Sequence, residues 1–343
     1  MNEAVPTCID SFEVRLMKRK SLFAGIAASL GMLILILDGK TAVMGARDGL
    51  ELCLRTVIPS LFPFFVLSNL LTTAFTGQRL SLFQPVATLC GVPRGGESLL
   101  ITGFLGGYPV GAQAVTGVYR AGQISKAEAE RLLAFCNNAG PAFLFGMSAA
   151  LFPQRRAAVL LWGIHILSAV FTAVLLPAEE SPALTLSGGK RANLTDAMQN
   201  SVRVMAYVCG WVILFRILIE FLERWVLWLL PVSAQVGITG LLELTNGCCA
   251  LAAVASEPLR FVMCSTMLAA GGLCVTMQTL SVTEGLSLRF YFLGKGMQIL
   301  FSLLLSAACM VGQPVPILAA MVFFVGILKK SKKKDSIRSL GSV

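Results

Sequence analysis

The sequence predicts an all-α polytopic membrane protein, and three observations carry that prediction: an apolar composition, uncharged runs long enough to cross a bilayer, and helix breakers inside those runs. Of 343 residues, 56% are hydrophobic and 13% charged, against about 25% charged in soluble domains. Mean hydropathy is +0.77. Uncharged runs cover Ser21 to Leu37, Thr56 to Gln78, Ser98 to Tyr119, Leu132 to Gln154, Ala157 to Ala178, Trp225 to Leu242, Phe261 to Thr283 and Gly296 to Leu328. Roughly 20 apolar residues rising 1.5 Å each span the hydrocarbon core, so most of these runs are the length of one crossing. The last is longer and is divided by "GQPVP" at 312–316.

The net charge of +10 comes from basic residues scattered between apolar runs and gathered near the two ends, in "RLMKRK" and "KKSKKKDSIR". Basic clusters beside membrane segments fix topology and meet anionic lipid, which argues against nucleic acid as a partner. The ten cysteines show neither a disulfide framework nor zinc spacing and read as small buried hydrophobes. The polar stretch ahead of the first apolar run, with no small-residue cleavage pattern after it, does not read as a cleavable leader. No nucleophile elbow, HExxH, P-loop or dinucleotide fingerprint is present, so neither an enzyme nor a cofactor is expected.

The chain reads as duplicated. "ITGFLGGYPVGAQAV" from 101 returns in outline as "ITGLLELTNGCCALA" from 238, with Ile-Thr-Gly-x-Leu in register and a polar break after it. An apolar segment precedes each copy, Thr56 to Gln78 and Val204 to Phe221. An interrupted one follows, "LLAFCNNAGPAFLFG" from 132 and "STMLAAGGLCVTMQ" from 265, and then an uninterrupted one near Arg155 or Arg289. The first repeat is placed at 45–177, an inter-repeat cytoplasmic linker at 178–196, the second repeat at 197–312, and a last helix with a basic tail at 314–343.

If the broken element of each half is a re-entrant hairpin, each repeat crosses three times, the second is inverted, and about eight crossings of bilayer length leave both termini cytoplasmic. The positive-inside rule favours that arrangement. It leaves only Lys40, Arg47, Arg155, Arg156, Arg224 and Arg260 outside, and Arg55, Arg216 and Lys295 within spans. The expected location is therefore the cell membrane, multi-pass.

Non-helical backbone at membrane depth survives only inside protein or beside a water-filled cavity. Inverted repeats with broken helices are secondary-transporter architecture, with a solute held near the midplane by half-helix ends and freed backbone groups. The candidate solute site is therefore the breaks. Gly106, Gly107, Pro109 and Gly111 allow a tight tip from which Tyr108 and Gln113 present polar groups. Asn137 and Asn138 precede Gly140-Pro141, which frees a carbonyl. Glu243, Thr245, Asn246 and Gly247 form the matching tip, and Gly271, Gly272 and Gln278 the matching break. An intramembrane carboxylate such as Glu243 is a functional candidate, with a pair to Arg216 or Arg224 as the plain alternative. The only histidine, His165, is expected to hydrogen-bond between helices. Lys295 is expected to snorkel to the interface. Ser125 with Glu128 forms a capping box that starts a helix at the cytoplasmic surface.

These motifs, "GGYPVGAQAV", "GQISKAEAERLLAFCNNAGPAFLFG", "LELTNG" and "AAGGLCVTMQ", resemble the nucleoside-recognition, or Gate-domain, membrane proteins, and within them the YlbJ-type sporulation group. The resemblance runs from about Gly45 to about Gly312. It implies an organisation similar to the concentrative nucleoside transporters, with the same hairpin tips and unwound helices around a solute, and a homo-oligomer. It further implies a role in moving dipicolinate, a flat aromatic dicarboxylate, during spore formation. The partners expected are membrane lipid and a small-molecule solute. Other readings are a non-transporting recognition or assembly subunit, and a metal-ion transporter using Cys136, Cys248, Cys249, Cys264 and Cys274 as soft ligands.

Overall fold

The computed structural model describes residues 8–178, 183–184, 193–323 and 326. Most of the expected linker at 178–196 and the basic tail after residue 326 lie outside them. All regular structure among the described residues is helical. Helix α1 (Cys8–Leu37) passes through Asp38, which caps α2 (Gly39–Leu52) by accepting from the Thr41 N–H and hydroxyl. A π-turn at Cys53–Val57 carries α2 directly into α3 (Ile58–Phe75). The crossing expected from Thr56 therefore belongs to a helical stretch of 37 residues beginning at Gly39. At 1.5 Å per residue that is about 55 Å of helix, more than one perpendicular crossing needs.

Short helices α4 (Gln84–Leu89) and α5 (Glu97–Ile101) follow, and a second π-turn, Thr102–Gly106, ends the descending arm. Helix α6 (Val110–Arg120) packs back against that arm. The Ser125 hydroxyl accepts from the Glu128 N–H at 3.0 Å to start α7 (Lys126–Leu133), as the capping box predicts. Glu128 then pairs with Arg131 at 2.7 Å, both buried. Helices α8 (Pro141–Leu151), α9 (Arg155–Leu175) and α10 (Leu194–Trp225) complete the first two thirds of the chain.

The uncharged run from Trp225 is broken at once by a 3-10 turn, and helix resumes only at α11 (Val232–Leu242). Helix α12 (Leu244–Ala250) folds back on α11, followed by α13 (Glu257–Ala270), α14 (Gly272–Leu280) and α15 (Arg289–Met310). A further apolar helix covers Pro314–Phe323. Among the described residues, five stretches are long and apolar enough to cross a membrane: Gly39–Phe75, Arg155–Leu175, Leu194–Trp225, Glu257–Leu280 and Arg289–Met310. Pro141–Leu151 and Val232–Leu242 have 11 residues each, about 16 Å of helix, which cannot span alone.

Packing places these elements around one interior. Helix α10 lies along α2 and α3, while α9, α13 and α15 pack together. Gly45 and Gly49, one turn apart on α2, face Ile217 and Ile213 of α10 so closely that a methyl group would meet their Cα atoms, the small-residue contact of membrane helix pairs. Arg216 does not meet Glu243. It is held by Glu220 at 2.5 Å, Glu223 at 3.2 Å and Asp48 at 3.3 Å, and Arg224 pairs with Asp38 at 3.2 Å.

Candidate functional site

Helix α7 stops at Leu133 and helix does not resume until Pro141, whose ring supplies no N–H and disfavours helix at the preceding residue. The backbone of residues 134–140 therefore needs partners from elsewhere. They come from α15 and α9. The Lys295 ammonium donates to the Asn137 carbonyl at 2.8 Å, and the Gln298 amide to the Ala134 carbonyl at 3.3 Å. The Ala139 N–H donates to His165 Nε2 at 3.0 Å, which puts the imidazole proton on Nδ1. His165 thus bonds the backbone of the break, rather than a second helix as expected.

The two Asn side chains brace the break instead of facing a cavity. Asn138 Nδ2 donates to the Phe135 and Gly103 carbonyls at 2.6 and 3.2 Å, and its Oδ1 accepts from Gln298 at 3.2 Å. Asn137 Nδ2 donates to the Thr279 hydroxyl on α14 at 2.9 Å. Both residues are fully buried. The expectation that Lys295 snorkels is overturned, because it is 5% exposed and its ammonium points inward.

At the first tip Gly107 has φ +84°, which glycine reaches without cost, and the following Tyr108–Pro109 peptide is cis. The Tyr108 hydroxyl crosses to the second half of the chain and donates to the Leu268 carbonyl at 2.8 Å. Gly103 and Gly111, one on each arm, both pack their Cα atoms onto the backbone of Cys136. At the second tip Glu243 caps α12. Its carboxylate accepts from the Thr245 N–H at 3.0 Å, the Asn246 N–H at 2.7 Å and Asn246 Nδ2 at 2.7 Å. Gly240 and Gly247 bring α11 and α12 into backbone contact, and Gly240 also lies against Met267 and Gly272. The second break is Gly271-Gly272, with φ +73° and +80°, and a methyl group added to Gly271 would come within 3.3 Å of the Tyr108 ring.

Five residues chosen from separate breaks share one small cavity: Tyr108, Gly140, Glu243, Thr245 and Gln278. Apolar side chains of α3, α8, α10 and α14, among them Leu61, Phe143, Val212 and Val275, complete its wall. It holds about 30 Å³, room for one or two water molecules. Gly106, Gly107, Pro109, Gly111, Pro141, Gly247, Gly271 and Gly272 shape the surrounding backbone. Gln113 turns away and donates to Asn200 at 2.8 Å. Asn246 instead borders an outer hollow of about 420 Å³, lined by Asp48, Glu51, Arg55, Arg216 and Glu223.

Sequence reading missed the α15 face of Lys295, Gln298, Ser302 and Ser306, at helical spacing in an otherwise apolar span. That stripe was the available signal. The Ser302 hydroxyl bonds the Ser265 hydroxyl of α13 at 2.7 Å and donates to the Ser265 carbonyl at 2.9 Å. On α9 the same spacing gives His165, Ser168 and Thr172.

Long apolar helices around a polar, broken interior define a polytopic membrane protein. No family model matches the chain, and no solved structure matches it. Over 204 residues it is 30% identical to the sporulation integral membrane protein YlbJ of Bacillus subtilis strain 168, an alignment covering 50% of this chain and 49% of that protein. The chain thus spans about half the length of the curated relative it matches.

Proposed function

We propose that the chain is an integral membrane transporter or facilitator of a small polar or anionic solute, acting in spore formation, with dipicolinate as the first solute to test. In this reading the arms α5–α6 and α11–α12 are re-entrant hairpins of two inverted repeats, with about eight crossings in all and both termini cytoplasmic. The observation that carries it is the shared cavity: Tyr108, Gly140, Glu243, Thr245 and Gln278 come from four interruptions of the chain and line one space. The packing of the paired Ile-Thr-Gly motifs supports the repeat, since Gly103 rests on Cys136 beside the first break and Gly240 on Met267 and Gly272 beside the second. The sporulation role is drawn from the relative's name, and the organic solute is preferred over a metal ion because no three His, Cys, Asp or Glu side chains gather among the described residues.

Size sets the mechanism. Ligand pockets usually hold about 300 Å³ or more, so a cavity of about 30 Å³ is a closed conformation of the site. Admitting a ring-sized solute requires the tips to part, and the Tyr108–Leu268 bond between the two halves is the contact to release. The test is flux of labelled dipicolinate, uridine and Fe²⁺ into proteoliposomes of purified protein. Saturable dipicolinate flux is the expected result. No flux of any solute from folded protein would favour a recognition or assembly subunit.

A further inference from the structure

We propose that Lys295 is the charge-recognising residue of this site: an anionic group of the solute takes the place beside its ammonium that the Tyr108 hydroxyl holds in the closed conformation. The inference rests on the reading of the breaks as a solute site. Lys295 is buried on α15, and no carboxylate lies within ion-pair distance of it among the described residues. Its neighbours are neutral and electron-rich: the Asn137 carbonyl at 2.8 Å, Gln298 Oε1 at 2.9 Å, the Tyr108 hydroxyl at 3.5 Å, and the Tyr108 and Tyr291 rings at 5.0 and 5.8 Å from the ammonium. Acceptors and ring faces together suit a cation. A buried ammonium without a counter-charge is costly, so a ligand that brings an anionic group relieves that cost.

The carboxylate on the cavity wall does not serve it, because Glu243 is engaged by three N–H groups of its own helix start. Of the three Lys295 protons, the one toward Tyr108 makes the longest contact, and Tyr108 is itself a cavity wall. Lys295 itself lines not that cavity but a separate hollow of about 520 Å³, so in this proposal it is the opening of the Tyr108–Leu268 bond that brings the ammonium to the solute. A lysine offers one compact charge, suited to a single carboxylate oxygen rather than a forked grip.

The test measures binding to the full chain in nanodiscs of pyridine-2,6-dicarboxylate and of its uncharged diamide, for wild type, Lys295→Gln and Lys295→Arg, with thermal melts alongside. Wild type is expected to favour the dianion by about tenfold or more, as a charge-assisted contact allows. Lys295→Gln should bring that ratio towards one, and Lys295→Arg should keep it. Equal weakening of both ligands in Lys295→Gln, or an unchanged ratio, would overturn the proposal and leave the site reading standing. The wild-type ratio needs no variant, and a value near one also overturns it. Binding of neither ligand by folded wild type would remove the site reading, and this inference with it.

Discussion

The ammonium of Lys295 sits 2.8 Å from the carbonyl of Asn137, 158 residues away in sequence, and that bond lets a late helix hold open a break in an early one. A helix gap inside a membrane protein is stable only if its freed backbone groups are met. Here α15 meets the carbonyls of Ala134 and Asn137, and α9 meets the N–H of Ala139.

Removing the donor should therefore destabilise the gap. Lys295→Met strands the Asn137 carbonyl and should cost about 1–3 kcal/mol, the usual penalty for an unmet buried acceptor. A thermal melt in nanodiscs checks this, with Lys295→Gln losing less because it keeps a donor.

The same reasoning applies from the other side. His165→Phe leaves the Ala139 N–H without its acceptor and should lower stability by about 1–3 kcal/mol. His165→Gln retains a carbonyl oxygen and should recover part of that loss. Equal melts for the two variants would show that the imidazole acts only by filling space.

Two glycines of α6 make a paired test. A Cβ on Gly111 would run into the Cys136 carbonyl, whereas one on Gly117 meets nothing within 4 Å. Gly111→Ala should cost about 1–3 kcal/mol or abolish folding. Gly117→Ala should be neutral or stabilising by up to about 1 kcal/mol, the helix preference for alanine. Yields of monodisperse protein and melting temperatures separate the two.

At the start of α7 the Glu128–Arg131 pair is buried, and Arg131 also donates to the Cys90 and Gly91 carbonyls at 3.1 and 2.6 Å. Arg131→Ala leaves a buried carboxylate unpaired and should cost about 3–5 kcal/mol. The same melts read it, and a small effect would show that water reaches the pair.

The breaks were legible because residues that dictate backbone mark them: Gly140-Pro141 cannot continue a helix, and Gly271-Gly272 adopt left-handed φ. The helix from Gly39 was not, because Lys40, Arg47, Asp48, Glu51 and Arg55 interrupt the apolar run while leaving helix formation untouched. Lys295, expected to snorkel, is buried, because its own helix does not determine what lies across the interior. Its burial is decided by Asn137 and Tyr108, both remote in sequence. The direction of the two Asn amides was equally invisible, since either face of the break could have received them.

The most direct test of the account is solute binding at the shared cavity, measured for wild type, Tyr108→Phe and Gln278→Ala in nanodiscs with dipicolinate, uridine and Fe²⁺ as ligands. Saturable dipicolinate binding that weakens in Gln278→Ala and tightens in Tyr108→Phe, which loses the hydroxyl that closes the site, is the predicted result. Dipicolinate binding that neither variant alters would contradict the placement of the site at the chain breaks.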